Sequence, residues 1–521
     1  MNPSDEWWRS AVIYQVYPRS FQDTSGDGVG DLRGIARRAD HIAGLGVDAV
    51  WISPFYPSPM KDFGYDVSDF TGVDPLFGTM EDFEAVVAAL HERGLKLIMD
   101  FVPCHSSNEH PWFRESASSR SNPKRDWYVW RDPAPDGGPP NNWLSEFGGP
   151  AWTFHEATGQ YYLHVFLTEQ PALNWRNPDV VAAMHDALRF WFDRGVDGFR
   201  VDAFENIVQD AELRDNPPNP DWRREQGPVF AHLPTRSKHQ HESYAMAAGL
   251  RSVAREYADE RLMIGEVYGT FEEVVRYYGE RGEGFQMPFN FALIEAEWTA
   301  TALGALIERY EGLLPEGAWP NWVLGNHDRA RVASRIGWDR ARLATMLLLT
   351  LRGTPTLYYG DELGMENGAI PPDRVRDPWE INVPGLGLGR DPVRTPMVWT
   401  ASEPHAGFTT GEPWLPLSMP REGTVAEQGD DPNSTLAFTR ALIALRRREA
   451  ALSLGDYRTR ATEDGVLAFE RSHGGRTLRV VLNLSDGAVD LPADQRPLLR
   501  TDGDGNGTIL PPNAGAVCAV E

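Results

Sequence analysis

Three acidic residues, Asp202, Glu266 and Asp328, each sit at the end of a short apolar run. The runs are GFRVDAFEN (Gly198 to Asn206), GEVYG (Gly265 to Gly269) and GNHD (Gly325 to Asp328). Arg200 precedes Asp202 by two positions, so on an extended strand the two side chains share a face, and His327 adjoins Asp328. Two carboxyl groups on opposite sides of a glycosidic bond are what retaining hydrolysis requires. One attacks the anomeric carbon; the other, kept protonated by its surroundings, gives a proton to the leaving oxygen, with the pair ~5–5.5 Å apart. Arg200 beside Asp202 keeps such a nucleophile ionised through a charge-assisted hydrogen bond. For any one of these acids a loop-holding ion pair is the competing reading. Three at strand ends argue against it if one fold brings those ends together.

The apolar runs identify that fold. VIYQVYPRSF (Val12 to Phe21), VDAVWISPFYPSP (Val47 to Pro59), LKLIMDFVPCH (Leu95 to His105), VDGFRVDAFEN (Val196 to Asn206), RLMIGEVYG (Arg261 to Gly269), NWVLGNHDRAR (Asn321 to Arg331) and GTPTLYYGDELGM (Gly353 to Met365) read as parallel strands buried on both faces. Between them LRGIARRADHIAGLG, MEDFEAVVAALHERG and VVAAMHDALRFWFDRG have helical periodicity and end in Gly, a C-cap signal. Strand and helix alternating, with polar clusters at the strands' C-terminal ends, predict an α/β fold: a (β/α)8 TIM barrel whose mouth is the active site.

Two segments depart from the repeat. Residues 105–174 are rich in Trp, Pro, Gly and Asn, with strand-like pieces such as YYLHVFL and no ordinary helix, and read as a subdomain inserted after strand 3. From about residue 450 the pattern changes to alternating runs, LAFERS and LRVVLNLS, separated by turn residues, which predicts a C-terminal antiparallel β-domain. The expected organisation is a barrel over 1–104 and 175–449, the insertion over 105–174 and a β-sandwich over 450–521. Asn216 to His241 reads as an irregular loop.

The 50 basic and 75 acidic residues leave a formal net charge of −25. Such a chain lacks the basic surface that binds nucleic acid or an anionic membrane, and the expected partner is a small molecule. The positive charge is almost all Arg, Lys occurring only at 61, 96, 124 and 238. Cys104 and Cys518 make no disulfide framework. MNPSDEWWRS has no basic region followed by an apolar stretch, and no run of ~18 apolar residues occurs. A cytoplasmic protein, monomeric or a small homo-oligomer, is expected.

The ordered motifs resemble glycoside hydrolase family 13, the α-amylase family, in its α-glucosidase and oligo-1,6-glucosidase-like branch. They are GYD (Gly64 to Asp66), DFVPCH (Asp100 to His105), QPALN (Gln170 to Asn174), the three acid-bearing runs and GRDPVRTPMVW (Gly389 to Trp399), and the likeness spans nearly the whole chain. The resemblance implies Asp202 as nucleophile, Glu266 as general acid/base and Asp328 as transition-state stabiliser. It places Tyr65, His105, Arg200 and His327 around the terminal sugar. It also implies that Asp62 and Arg394, with Arg390 as second choice for the arginine, grip the outer hydroxyls and block further chain, as a carboxylate and a planar guanidinium are able to do.

Cys104 stands where relatives with a calcium site between barrel and insertion carry Asn, so that site is expected to be absent. A different oxygen-rich loop, DTSGDGVGD, offers Asp23, Ser25, Asp27, the Val29 carbonyl and Asp31 for Ca2+ or Mg2+; no organic cofactor is expected. In the relatives, Val directly after the nucleophile accompanies α-1,6 specificity and Ala or Thr accompanies α-1,4, so Ala203 leans towards α-1,4 bonds. Phe147 and Phe166, in the insertion, are placed to flank an acceptor sugar. The reading is a retaining α-glucosidase of short α-linked gluco-oligosaccharides with transglucosylation as a side activity. An oligo-1,6-glucosidase, a sucrose-splitting enzyme and a trehalose-forming isomerase are its rivals, and an inactive transporter partner is disfavoured by the intact acids.

Overall fold

The structure is a computed structural model that describes residues 6–491, 495–503 and 507–520. Eight strands close into a parallel barrel: β1 (Ile13–Val16), β2 (Ala49–Ile52), β3 (Lys96–Phe101), β4 (Gly198–Val201), β5 (Leu262–Gly265), β6 (Met287–Asn290), β7 (Asn321–Val323) and β8 (Thr354–Tyr358). Each pairs in parallel with its sequence neighbours, and β8 returns to β1 through Ile13 opposite Thr356. Apart from Lys96 every strand residue is buried, which is why the runs are continuously apolar rather than alternating. Ile13, Trp51, Ile98, Ile264, Met287 and Phe289 from five strands form one apolar cluster that fills the barrel.

The sequence revealed seven of these strands. The eighth, β6, is Met-Pro-Phe-Asn; a four-residue run containing Pro and ending in Asn gives no strand signal of its own. The first helical stretch also differs, being two helices, Leu32–Arg37 and Ala39–Leu45. The break falls at Arg38 (φ −98, ψ 8), whose guanidinium lies 4.1 Å from the Trp399 ring centroid and donates to Gln22 Oε1 at 2.6 Å. The other two helices are Met80–His91, opened by a Thr79/Asp82 capping box, and Pro178–Phe192, capped by Asn177. Gly46, Gly94 and Gly195 after these segments all have positive φ (86°, 72° and 94°), the stop that Gly supplies.

Between β3 and β4 the insertion folds around a three-stranded antiparallel sheet with Gln160–Leu163 between Trp130–Arg131 and Trp152–His155. It also contains a helix, Pro111–Ser118, that the composition concealed. Residues 216–240 carry only short 3-10 turns, Arg224–Gln226 and Pro228–Ala231, and lie over the barrel mouth. At the C-terminus five strands form an antiparallel sheet in the order Asp456–Ala461, Val466–His473, Arg476–Asn483, Gly515–Val520, Gln495–Arg500. A two-stranded ribbon, Val489–Asp490 with Ile509–Leu510, accompanies it.

Two buried arginines join this sheet to the barrel. Arg446, on helix Thr435–Arg448, donates to the carbonyls of Leu349 (2.9 Å), Leu351 (3.4 Å), Leu452 (3.0 Å) and Gly353 (2.6 Å). Arg471 donates to the carbonyls of Thr350 and Gly455. Together they satisfy the orphan carbonyls at the end of helix Ala341–Thr350, just before β8, where a cation also suits the helix dipole. Arg446→Met is expected to leave four buried carbonyls without a donor and to cost on the order of 3 kcal/mol. The measurement is chemical or thermal unfolding; an unshifted transition would show that water replaces the guanidinium.

Candidate active site

The three acids converge because closure of the barrel gathers the C-terminal ends of their strands around one mouth. Asp202 follows β4, Glu266 follows β5 and Asp328 lies beyond β7; the Asp202 amide donates to Phe101 O and the Glu266 amide to Val201 O, each at 2.8 Å. Arg200, on β4 and fully buried, holds the first two. Its Nη1 lies 2.8 Å from Asp100 Oδ1 and 2.6 Å from Asp202 Oδ1, while Nη2 lies 2.6 Å from Glu266 Oε1. The second Glu266 oxygen accepts from the Ala203 amide at 2.9 Å. Ala203 needs a left-handed backbone (φ 43, ψ 39) to aim that amide, and it lines the cavity.

A chain of hydrogen bonds fixes the inner wall. Gln15 Nε2 donates to His327 Nδ1 (2.8 Å), which leaves Nε2–H to face Tyr65 OH (2.7 Å) and Asp328 Oδ2 (3.3 Å); Tyr65 OH donates to Asp100 Oδ2 at 2.9 Å. The Tyr65 and His327 rings stack at 5.4 Å. His105 Nε2 sits 2.9 Å from the Tyr65 carbonyl and 3.2 Å from Gln170, whose amide also reaches Asp62 Oδ2 at 3.2 Å.

Of the two candidate arginines, the partner of Asp62 is Arg390 and not Arg394. Arg390 Nη2 lies 2.7 Å from Asp62 Oδ1 and 2.8 Å from Asp377 Oδ1, and Nη1 lies 3.2 Å from Asp328. Arg394 is fully buried behind the wall, donating to the His327 carbonyl and to Asp328 Oδ1, both at 2.8 Å. The reason is reach: Asp377 anchors Arg390 at the rim, whereas Arg394 stacks on Tyr17 and Phe63 underneath. Phe147 and Phe166 line the cavity, but on this same wall. Arg390 lies over Phe147, which packs on Trp379, and Phe166 packs on His105.

Of the catalytic and substrate-binding residues expected from the sequence, all except Arg200, His327 and Arg394, together with Arg390, line one cavity of ≈ 760 Å³ at the barrel's C-terminal mouth. The size suits a disaccharide-scale ligand. Cys104 is buried beneath it, its thiol pushed up by burial and directed at the Asn206 carbonyl, so it packs as a small apolar side chain. The Asp23–Asp31 loop lies outside the cavity. Asp23 accepts from the amides of Ser25, Gly26 and Gly28, Asp27 from that of Val29, and Asp31 from those of Thr24 and Gly34. Among the described residues no group of three or more His, Cys, Asp or Glu is placed to hold a metal ion. The carboxylates of this loop are engaged in the hydrogen bonds of a turn.

The family described as "Alpha amylase, catalytic domain" matches residues 15–455. The chain belongs to the α-amylase family. A second family, a domain of unknown function, matches residues 453–517. A probable alpha-glucosidase of Rhizobium meliloti (strain 1021) is 43% identical over 97% of this chain and 94% of its own length. An oligo-1,6-glucosidase of Heyndrickxia coagulans is 36% identical over 99% of this chain and 100% of its own. The crystal structure of an alpha-glucosyl transfer enzyme, XgtA, superposes with a TM-score of 0.94 at 41% identity, covering 99% of this chain and 100% of that one.

Within this α-amylase family site, electrostatics separate the acids by role. Burial pushes Glu266 up to about 8, with Arg200 opposing and Asp202 and Asp328 adding to the rise. Burial also raises Asp202, to about 7, against Arg200. At Asp328 burial acts upward too, yet His327, Arg390 and Arg394 outweigh it and hold the carboxyl well below the usual range. His327 itself is kept neutral, chiefly by burial. Glu266 is thus the acid that keeps its proton longest, Asp202 ionises before it and Asp328 is a fixed anion.

Sequence reasoning left out several members of the site. Asp100 and Gln170 stand inside the quoted motifs DFVPCH and QPALN, where their position was visible but their contacts were not. Asp377, which anchors Arg390, has no local signal.

The expected pH dependence of kcat/KM is a bell. Below about 7 Asp202 carries a proton and lacks the charge that a nucleophile needs; above about 8 Glu266 has lost the proton that a general acid needs. Glu266→Gln is expected to remove the alkaline limb and to lower turnover of a disaccharide about 10²–10⁴-fold. An alkaline limb that survives in Glu266→Gln would assign it to another group.

Proposed function

We propose that the protein is a retaining, exo-acting α-glucosidase that releases terminal glucose from short α-linked gluco-oligosaccharides and glucosides. The observation that carries this reading is a cavity with the acids Asp202 and Glu266 on one guanidinium and the Asp62–Arg390 ion pair in its wall. That pair offers a carboxylate and a guanidinium to adjacent hydroxyls of one glucose and leaves no path for a further unit. Asp202 attacks the anomeric carbon as Glu266 protonates the leaving oxygen. Glu266, now a base, takes a proton from water, whose oxygen releases glucose from the Asp202 ester. Asp328, which lines the cavity and is held from behind by His327, presents a fixed anion that favours the positive charge developing on the sugar.

A sugar hydroxyl in place of that water gives transglucosylation, which we propose as a side activity. The likeness to an alpha-glucosyl transfer enzyme supports it. The likeness to an oligo-1,6-glucosidase favours α-1,6 hydrolysis as the second reading. Against it stands Ala203: its small side chain and left-handed backbone leave room beside Glu266 that a β-branched residue would fill at a strained φ. Glucose release from maltose, isomaltose, sucrose and trehalose, measured in parallel, is expected to be fastest from maltose, and Ala203→Val is expected to shift the maltose-to-isomaltose ratio about tenfold towards isomaltose. Preference of the native enzyme for isomaltose would overturn the linkage assignment, and release from none of the four would overturn the substrate class.

A cytoplasmic location belongs to this proposal, supported by two buried cysteines that form no disulfide; among the described residues no helix is long and apolar enough to cross a membrane. Binding of Ca2+ or Mg2+ by the Asp23–Asp31 loop is likewise proposed, on its donor chemistry of three carboxylates, a hydroxyl and a carbonyl. Binding there has to exchange some of the loop's own hydrogen bonds for metal–oxygen bonds. Chelator treatment is expected to lower the melting temperature by a few degrees, with recovery on adding Ca2+; an unchanged melt would show that the turn stands on its hydrogen bonds alone.

A further inference from the structure

A second pocket, of ≈ 470 Å³, lies between the insertion and the segments that follow β2 and β8. Phe166 lines both this pocket and the catalytic cavity, so the two share a wall. Two cations, Lys61 and Arg376, line the second pocket and are exposed. Among the described residues neither side chain has a hydrogen-bond or ion-pair partner. The other three lysines are all paired: Lys96 with Asp197 at 3.1 Å, Lys124 with Glu115 at 3.0 Å and Lys238 with Glu146 at 2.6 Å. In a chain of net charge −25, where acids are in excess, a lysine without one is the exception.

The fold explains why these two cations stay unpaired. β8 and β2 lie on either side of β1, which brings their following segments to one edge of the barrel mouth. Lys61 directly precedes Asp62, and Arg376 directly precedes Asp377. Both acids are committed to Arg390 Nη2, at 2.7 Å and 2.8 Å, and do not serve the cations beside them. Glu169, the acid that lines the pocket, forms no ion pair with either. The backbone under the cations is held as well. The Lys61 amide donates to Asp66 Oδ2 at 2.9 Å and the Arg376 amide to Asp391 Oδ2 at 2.6 Å. Two uncompensated positive charges thus stand on segments already fixed, which lowers the ordering cost of binding an anion between them. A carboxylate carries one charge. A phosphate monoester carries about −1.5 to −2 near neutral pH and matches both.

The rest of the lining suits a hydroxylated body rather than a bare ion. Glu169 and Asn382 bring a carboxylate and an amide that bind hydroxyls, and Phe166, Pro378 and Ile381 bring apolar surface for the C–H face of a sugar ring. His164 adds no charge: Nδ1 lies 2.9 Å from the Phe166 carbonyl, Nε2 lies 3.0 Å from the Thr153 hydroxyl, and burial lowers its pKa. A neutral sugar leaves both cations unmatched, and inorganic phosphate leaves the remaining lining unused. We propose that this pocket is a binding site for a phosphorylated monosaccharide, its phosphate held by Lys61 and Arg376 and its hydroxyls by Glu169 and Asn382. The site lies outside the catalytic cavity, and the proposal stands apart from the α-glucosidase reading.

The test is calorimetric titration of the full chain with glucose 6-phosphate, inorganic phosphate and glucose, in the native protein, K61M and R376M. Both replaced side chains are exposed, so the variants are expected to fold, which their thermal melts check. Each titration is repeated with the catalytic cavity filled by the iminosugar 1-deoxynojirimycin. Glucose 6-phosphate is expected to bind at one site, to be indifferent to the iminosugar, and to weaken as ionic strength rises. Its affinity is expected to fall about tenfold or more in each variant, and inorganic phosphate to bind the native protein at least about tenfold more weakly than the sugar phosphate. Competition with the iminosugar would place the ligand in the catalytic cavity and overturn the proposal. Equal affinity in the native protein and the variants, equal binding of inorganic phosphate, or no binding at all would also overturn it. Failure of the iminosugar to bind would count against the α-glucosidase reading instead, and the comparison with K61M and R376M would still decide the second site.

Discussion

One buried guanidinium organises the active site. Arg200 is fully buried at the end of β4 and touches Asp100, Asp202 and Glu266 at once. Three carboxyl groups gathered in a buried space repel one another and lose hydration, and among the described residues the arginine is the sole cation in contact with all three. Removing one partner of such a cluster costs about 3–5 kcal/mol, because the remaining charges are stranded. One positive charge among three acids is also too little to ionise all of them. The shortfall leaves a proton on Glu266, as the proposed division of labour between acid and nucleophile requires.

The surroundings of Asp328 are the reverse. Arg390, Arg394 and His327 all reach it, so an anion persists there although it is buried. The same Arg390 pairs with Asp62 in the cavity wall, and is itself fixed by Asp377 from a loop that the barrel repeat does not require. The cavity wall and the charge on Asp328 are thereby linked through one side chain. A substitution at the rim reaches the chemistry without touching substrate.

Segments outside the barrel supply the rest. The insertion contributes His105, Glu146, Phe147 and Phe166, and the loop before helix His241–Ala254 contributes Lys238. The Glu146–Lys238 ion pair ties these two elements together across the mouth. The barrel offers eight strand ends and the connecting segments decide what they enclose, the usual division in this architecture.

Seven strands, the helices between them and the three acids could be read from the chain, because burial on both faces forces continuous apolar runs and because the acids follow those runs directly. β6 could not: Met-Pro-Phe-Asn carries no periodicity and becomes a strand only because the barrel must close between β5 and β7. The helix break at Arg38 was hidden for a similar reason, since a stacking contact with Trp399, far along the chain, causes it. The choice between Arg390 and Arg394 was also beyond the sequence. Both lie in one motif, four residues apart, and only the position of Asp377 shows which guanidinium reaches the rim. The sequence by itself determined which residue types meet at the strand ends, a consequence of local pattern and spacing. The tertiary structure alone decided which atoms keep a free hydrogen-bonding position, because that depends on every neighbour the fold packs around them.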